Sequence, residues 1–119
     1  MYGKGIYFGN KIEMSFSYGQ PGMSNGVGIY ILAEVALGDI MDANREWNKG
    51  NSSINETNIN PGKNSTMNGT ELDPKDFENI LDNVSVPFVK DSMTNYNNMY
   101  IVYNTNQVRL RYIVRIRQA

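Results

Sequence analysis

Cysteine and histidine are both absent from the 119 residues of this chain. Without cysteine there can be no disulfide framework, no thiolate zinc site and no thiol nucleophile. Without histidine the commonest general base and metal ligand is gone, so a Ser-His-Asp hydrolase and a histidine-ligated zinc enzyme are excluded for the chain as it stands. Long apolar runs are missing too. The longest, Val27 to Leu37, is interrupted by Gly28 and Glu34 and falls below the roughly 18–20 residues needed to cross a bilayer. Met1-Tyr2-Gly3-Lys4 leads into a turn and not into an apolar segment, so no secretory signal is expected. The sequons at Asn51, Asn55, Asn64, Asn68 and Asn83 then read as by-products of asparagine-rich composition. Neither charge sign dominates, the formal net charge being -1.

What is present fits one globular domain or a piece of one, with 40% hydrophobic residues to supply a modest core. Gly3-Lys4-Gly5-Ile6-Tyr7-Phe8-Gly9 reads as a tight turn entering a strand. Lys11 to Tyr18 places Ile12 with Phe16, and Met14 with Tyr18, at i,i+4 spacing, which predicts a short helix. Gly19-Gln20-Pro21-Gly22 ends it, and a flexible loop to Gly28 is expected. Gly28 to Leu37 is rich in Ile, Val, Leu and Tyr and reads as a buried central strand, in which Glu34 must lie at an edge or pair with a cation.

Residues Asn48 to Thr70 are dominated by Asn, Ser, Gly and Thr and read as a long mobile surface loop. Asp73 to Phe77 reads as a turn or helical start, and Val84 to Val89 as a strand with Pro87 at its edge. Met99 to Asn104 reads as another strand, joined by the hairpin chemistry of Asn104-Thr105-Asn106-Gln107 to the tail. In that tail Val108, Leu110, Tyr112, Val114 and Ile116 alternate with Arg109, Arg111, Arg115 and Arg117, Ile113 being the exception on the arginine face. Strict period two predicts one buried and one wet face. The arginine row is read as a solvated face paired with acids such as Glu71, Asp73 or Asp76, in preference to a nucleic-acid surface. With several strands and no βαβ rhythm, the predicted class is α+β, mainly antiparallel or mixed sheet with a short helix.

Three ordered blocks carry a family resemblance: Gly-Lys-Gly-Ile-Tyr-Phe at Gly3 to Phe8 followed by Ser15 and Tyr18, the run from Gly28 to Gly38, and the run from Tyr100 to Arg117. Together they resemble the C-terminal portion of the poly(ADP-ribose) polymerase catalytic domain, of the ADP-ribosyltransferase family. Between Met41 and Thr94 the likeness is thin. The resemblance implies an ADP-ribosyltransferase-like fold whose N-terminal part is missing, with residues 1–119 a partial catalytic domain and 48–70 a surface loop. It implies an enzyme that cleaves NAD+, releases nicotinamide and passes ADP-ribose to protein acceptors. NAD+ is then a substrate and no metal is needed. It further implies a nuclear or cytoplasmic location, no membrane partner, and contact with DNA only through domains not in this chain.

By the same resemblance Tyr7 and Tyr18 sandwich the nicotinamide ring, and Ser15 hydrogen-bonds its carboxamide. Taken singly, each has a plainer reading: Tyr7 as strand core, Tyr18 as helix-end packing, Ser15 as an exposed hydroxyl. Of the family's His, Tyr and Glu triad only the tyrosine is matched, at Tyr7. The histidine would lie upstream of Gly3. The glutamate position is held by Met99, whose thioether is a weak acceptor and no base. Met14 and Asn10 stand where DNA-dependent members carry Lys and Asp. The resemblance therefore implies mono-transfer or no activity, or alternatively a catalytically dead domain that binds NAD+ or ADP-ribose. A chain lacking the first strands of such a fold would expose a strand edge and an apolar face, so aggregation, self-association or partial disorder is expected.

Overall fold

Glycine at the first turn and β-branched or aromatic residues after it produce the first strand, β1, at Ile6–Gly9, entered through Gly3 at φ 77°. The computed structural model describes residues 2–19, 25–50, 54–59, 61–69, 77–81, 84–87 and 98–117. A short helix, α1, follows at Ile12–Phe16 and continues as a 3-10 turn over Ser17–Gly19. After it come β2 at Val27–Val35, β3 at Ile40–Asp42 and the helix α2 at Ala43–Asn48. The remaining strands are β4 at Ser65–Asn68, β5 at Phe77–Leu81, β6 at Val84–Pro87, β7 at Met99–Val102 and β8 at Val108–Arg117. The architecture is α+β, mostly strand with short helices.

The strands form a four-stranded mixed sheet in the order β1-β7-β4-β3, and two antiparallel pairs, β2-β8 and β5-β6. In the large sheet β7 is central, with Tyr7 opposite Ile101 and Gly9 opposite Met99 on one side. On its other side Thr66 faces Ile101 and Asn68 faces Met99. Only β3 and β4 run parallel, and the chain between them carries α2, as a parallel pairing requires a crossover. Asp42 caps α2, its carboxylate accepting from the Asn44 and Arg45 amides at 2.9 and 3.3 Å. Ile101 and Val102 are wholly buried, and Met41, Ala43 and Ile54 form a buried cluster against which Tyr2 and Ile59 pack.

Within the asparagine-rich span expected as a surface loop, residues 65–68 depart from that expectation. Ser65, Thr66 and Met67 form a buried strand beside β7. Polar side chains can be buried there because each finds a partner: the Ser65 hydroxyl donates to the Leu37 carbonyl at 2.8 Å, and the Thr66 and Tyr103 hydroxyls meet at 2.9 Å. The connection from Asn104 to Gln107 is likewise not a hairpin. β7 belongs to the large sheet and β8 pairs with β2, so the chain crosses between sheets through a 3-10 turn at Thr105–Gln107. Gln107 fastens that crossing, its amide nitrogen donating to the Ala36 and Asn64 carbonyls at 2.9 and 3.0 Å.

β2 and β8 are strands as expected, but not buried ones. Ile29, Ile31, Leu110 and Ile113 are 65%, 57%, 67% and 78% exposed. A two-stranded ribbon has no second layer of its own to cover its faces, which is why period two here does not translate into burial. The register shifts between Leu32 and Ala33, and Arg111, the residue left over on β8, reaches Glu34 at 3.3 Å. Glu34 therefore does find a cation. The acids expected to pair with the arginines, Glu71, Asp73 and Asp76, lie outside the described residues, as does the expected turn before Phe77.

Exposed isoleucines on a long strand pair predict self-association. At tens of micromolar the chain should elute from a sizing column ahead of a monomer. A double change, Ile31→Lys with Ile113→Lys, should shift it toward the monomer position; monomeric wild-type protein would refute this.

Candidate active site

β1 and the turn that follows place aromatic and polar side chains around one cavity of about 560 Å³, within the roughly 300–1,000 Å³ typical of small-molecule sites. Tyr7, Ser15 and Tyr18, named from three separate stretches of the first block, all line it. Its far wall is the β2-β8 ribbon, through Ile29, Ile31, Leu110 and Val114. Tyr18 projects from the 3-10 turn and is 87% exposed, whereas Tyr7, on β1, is 40% exposed. Met99 is absent from the lining but sits beside it in the ladder, opposite the lining residue Gly9.

Tyr30, which sequence reasoning missed, holds the end of α1, two residues before Tyr18. Its ring stacks on Phe16 with centroids 6.2 Å apart, and its hydroxyl donates to the Phe16 carbonyl at 2.9 Å. Glycines at 19 and 28 leave room for that ring: a Cβ at either would come within 2.6 Å of Tyr30 atoms. The end of α1 is thereby docked on β2. The sequence signal was a pair of glycines nine residues apart, one ending the 3-10 turn and the other near the start of the strand that carries Tyr30.

The departures from the family pattern have definite places. Met14 lies over Gly9, where an added Cβ would meet the Met14 Cβ at 3.0 Å. Gly9 is thus flanked by two methionines, Met14 above and Met99 across the ladder. Asn10 extends the β1-β7 pairing by one residue. Its side-chain oxygen accepts from the Asn98 amide at 2.9 Å and its own amide donates to the Asn98 carbonyl at 3.2 Å.

Burial pushes the Tyr100 and Tyr103 phenols up, partly offset by hydrogen bonds from Asn98 and Thr66 respectively, so both remain protonated donors at neutral pH. The Glu56 carboxyl is held below its usual range by its own backbone amide and then by that of Lys4.

The arrangement is an α+β domain with a cleft, lined in part by aromatic residues, between a helix end and a strand ribbon. The family model for the poly(ADP-ribose) polymerase catalytic domain matches residues 1–118, and the chain belongs to that family. It is 33% identical to poly [ADP-ribose] polymerase 2 of Arabidopsis thaliana over 98% of the chain and 19% of that protein. It is 36% identical to poly [ADP-ribose] polymerase 1 of Oryza sativa subsp. japonica and 34% identical to that of Gallus gallus, in each case over 98% of the chain and 12% of the relative. The chain thus spans a fifth or less of the length of these relatives. Among the described residues no helix is long and apolar enough to cross a membrane.

Proposed function

We propose that this chain forms the nicotinamide-binding part of an NAD+ ADP-ribosyltransferase domain that transfers ADP-ribose to protein acceptors. The observation that carries the reading is the meeting of Tyr7, Ser15 and Tyr18 on one cavity. Two aromatic faces hold a planar ring by stacking, and a positively charged pyridinium adds cation-π attraction. A serine hydroxyl can both donate to and accept from a carboxamide. Cleavage of the bond between nicotinamide and ribose passes through an oxocarbenium-like state, so the ring must be fixed while positive charge grows on the sugar. A nuclear or cytoplasmic location, and contact with DNA only through domains outside this chain, follow from the same reading.

Met99 sets the limit of that chemistry. A carboxylate at this point of the ladder would accept a hydrogen bond from a ribose hydroxyl and polarise an attacking acceptor; a thioether does neither. The reading is therefore transfer of a single unit at most. Met99 also favours a second reading, a domain that holds NAD+ or ADP-ribosylated partners without turnover. In a complete catalytic domain incubated with labelled NAD+, the native sequence should give single modifications or none, and long polymer ladders would refute both readings. Met99→Glu then separates them: gained elongation identifies an enzyme lacking one group, and no gain identifies a binding domain.

A further inference from the structure

The hydroxyl of Tyr7 does not point into solvent. It donates to the Gly3 carbonyl at 2.7 Å and accepts from the Tyr2 amide at 3.1 Å. The outer end of the ring is therefore moored to the Tyr2-Gly3 turn. That turn is itself moored from below. The Tyr103 hydroxyl donates to the Tyr2 carbonyl at 3.1 Å, and Thr66 Oγ1, at 2.9 Å from it, supplies the hydrogen bond that orients the Tyr103 oxygen. Asn68 Nδ2 donates to the Tyr2 hydroxyl, and the Lys4 amide donates to the Glu56 carboxylate at 2.8 Å. Gly3 has no room for a side chain, since a Cβ there would collide with Glu56 and Asn55.

We propose that Tyr103 is a positioning residue for the ring-binding site, acting through the Tyr2-Gly3 turn to fix the tilt of the Tyr7 ring, with Thr66 setting the direction of its hydroxyl. The proposal rests on the reading of Tyr7 and Tyr18 as a ring sandwich. Tyr103 does not line the cavity. It matters because stacking depends on ring offset and tilt, and sites of this kind need their groups held to about 0.5 Å by a supporting shell. The Tyr7 ring is 40% exposed, so its two hydroxyl hydrogen bonds supplement the packing that holds it. Burial raises the Tyr103 pKa, which keeps its proton available for the Tyr2 carbonyl.

The test is nicotinamide binding to the 119-residue chain, followed by the upfield shift of the nicotinamide ring protons and by the dissociation constant. Tyr103→Phe should weaken binding about threefold and reduce the limiting upfield shift. Thr66→Val should do the same, while Thr66→Ser keeps the hydroxyl and both wild-type values. Ser65→Ala is the control, because it removes an equally buried hydrogen bond from the same strand, to the Leu37 carbonyl, without reaching the turn. It should lower the melting temperature and leave affinity and ring shift intact. A wild-type limiting shift in both Tyr103→Phe and Thr66→Val, or an equal loss in Ser65→Ala, overturns the positioning role alone. No upfield shift in the wild-type chain overturns the sandwich and the positioning role with it.

Discussion

Tyr18→Ala is expected to leave the thermal melt of this protein in place while weakening nicotinamide binding about fivefold and NAD+ binding about thirtyfold. The melt should not move because Tyr18 is 87% exposed, and substitutions at such positions usually change stability by less than about 0.5 kcal/mol. Affinity should fall because stacking of two flat rings contributes about 1 kcal/mol beyond the area buried, and 1.4 kcal/mol corresponds to roughly tenfold in affinity. NAD+ loses more because its pyridinium ring is cationic. Cation-π attraction adds about another 1 kcal/mol that neutral nicotinamide does not have. Calorimetry of the two ligands against native and variant protein measures both numbers. Equal losses for the charged and neutral rings would show that Tyr18 acts by surface coverage and not by its π-face. A large fall in melting temperature would mean that it is a packing residue after all.

Ile101→Ala should have the opposite profile: a collapse of stability with no direct effect on the site. Ile101 is wholly buried at the middle of the four-stranded sheet, between Tyr7 and Thr66 in the ladders. Truncating a buried isoleucine costs about 2–5 kcal/mol through lost transfer energy and the cavity left behind. Domains of this kind hold only about 5–15 kcal/mol in total. Among the described residues the wholly buried apolar side chains are Met41, Ile101 and Val102, so Ile101 is a large share of that core. Urea titration should show the midpoint falling by a large fraction of its native value. A midpoint within a few tenths molar of the native one would mean that the sheet is held together elsewhere.

How much of this was legible in the sequence depends on what each segment asks of its residues. β1 and α1 were, because glycines at the turn and i,i+4 apolar pairs are local signals that no distant contact needs to support. β8 was legible as a strand from its alternation, but its exposure was not. Alternation reports that two faces differ and says nothing of whether a second layer covers one of them. β4 was illegible because Ser-Thr-Met-Asn is an ordinary loop composition. Its burial depends on hydroxyl partners at Leu37 and Tyr103, which lie far off along the chain. The 104–107 segment has the residues of a hairpin turn, and only the pairing of β8 with β2 turns it into a crossing. At the site, Tyr7, Ser15 and Tyr18 came from resemblance. The supporting residues Tyr30 and Tyr103 gave no pattern, since one aromatic in a β-strand looks like any other.

The order of strands in the large sheet carries a consequence for synthesis. Ile6 pairs with Val102, and among the described residues β7 is the strand that joins β1 to β4. A nascent chain therefore cannot form the β1-β7 ladder until Met99–Val102 has left the exit tunnel. Pairings so distant along the chain form slowly, and an unpaired strand waiting that long is a natural target for chaperones. Premature termination before Met99 would remove the strand that ties β1 to the β3-β4 pair.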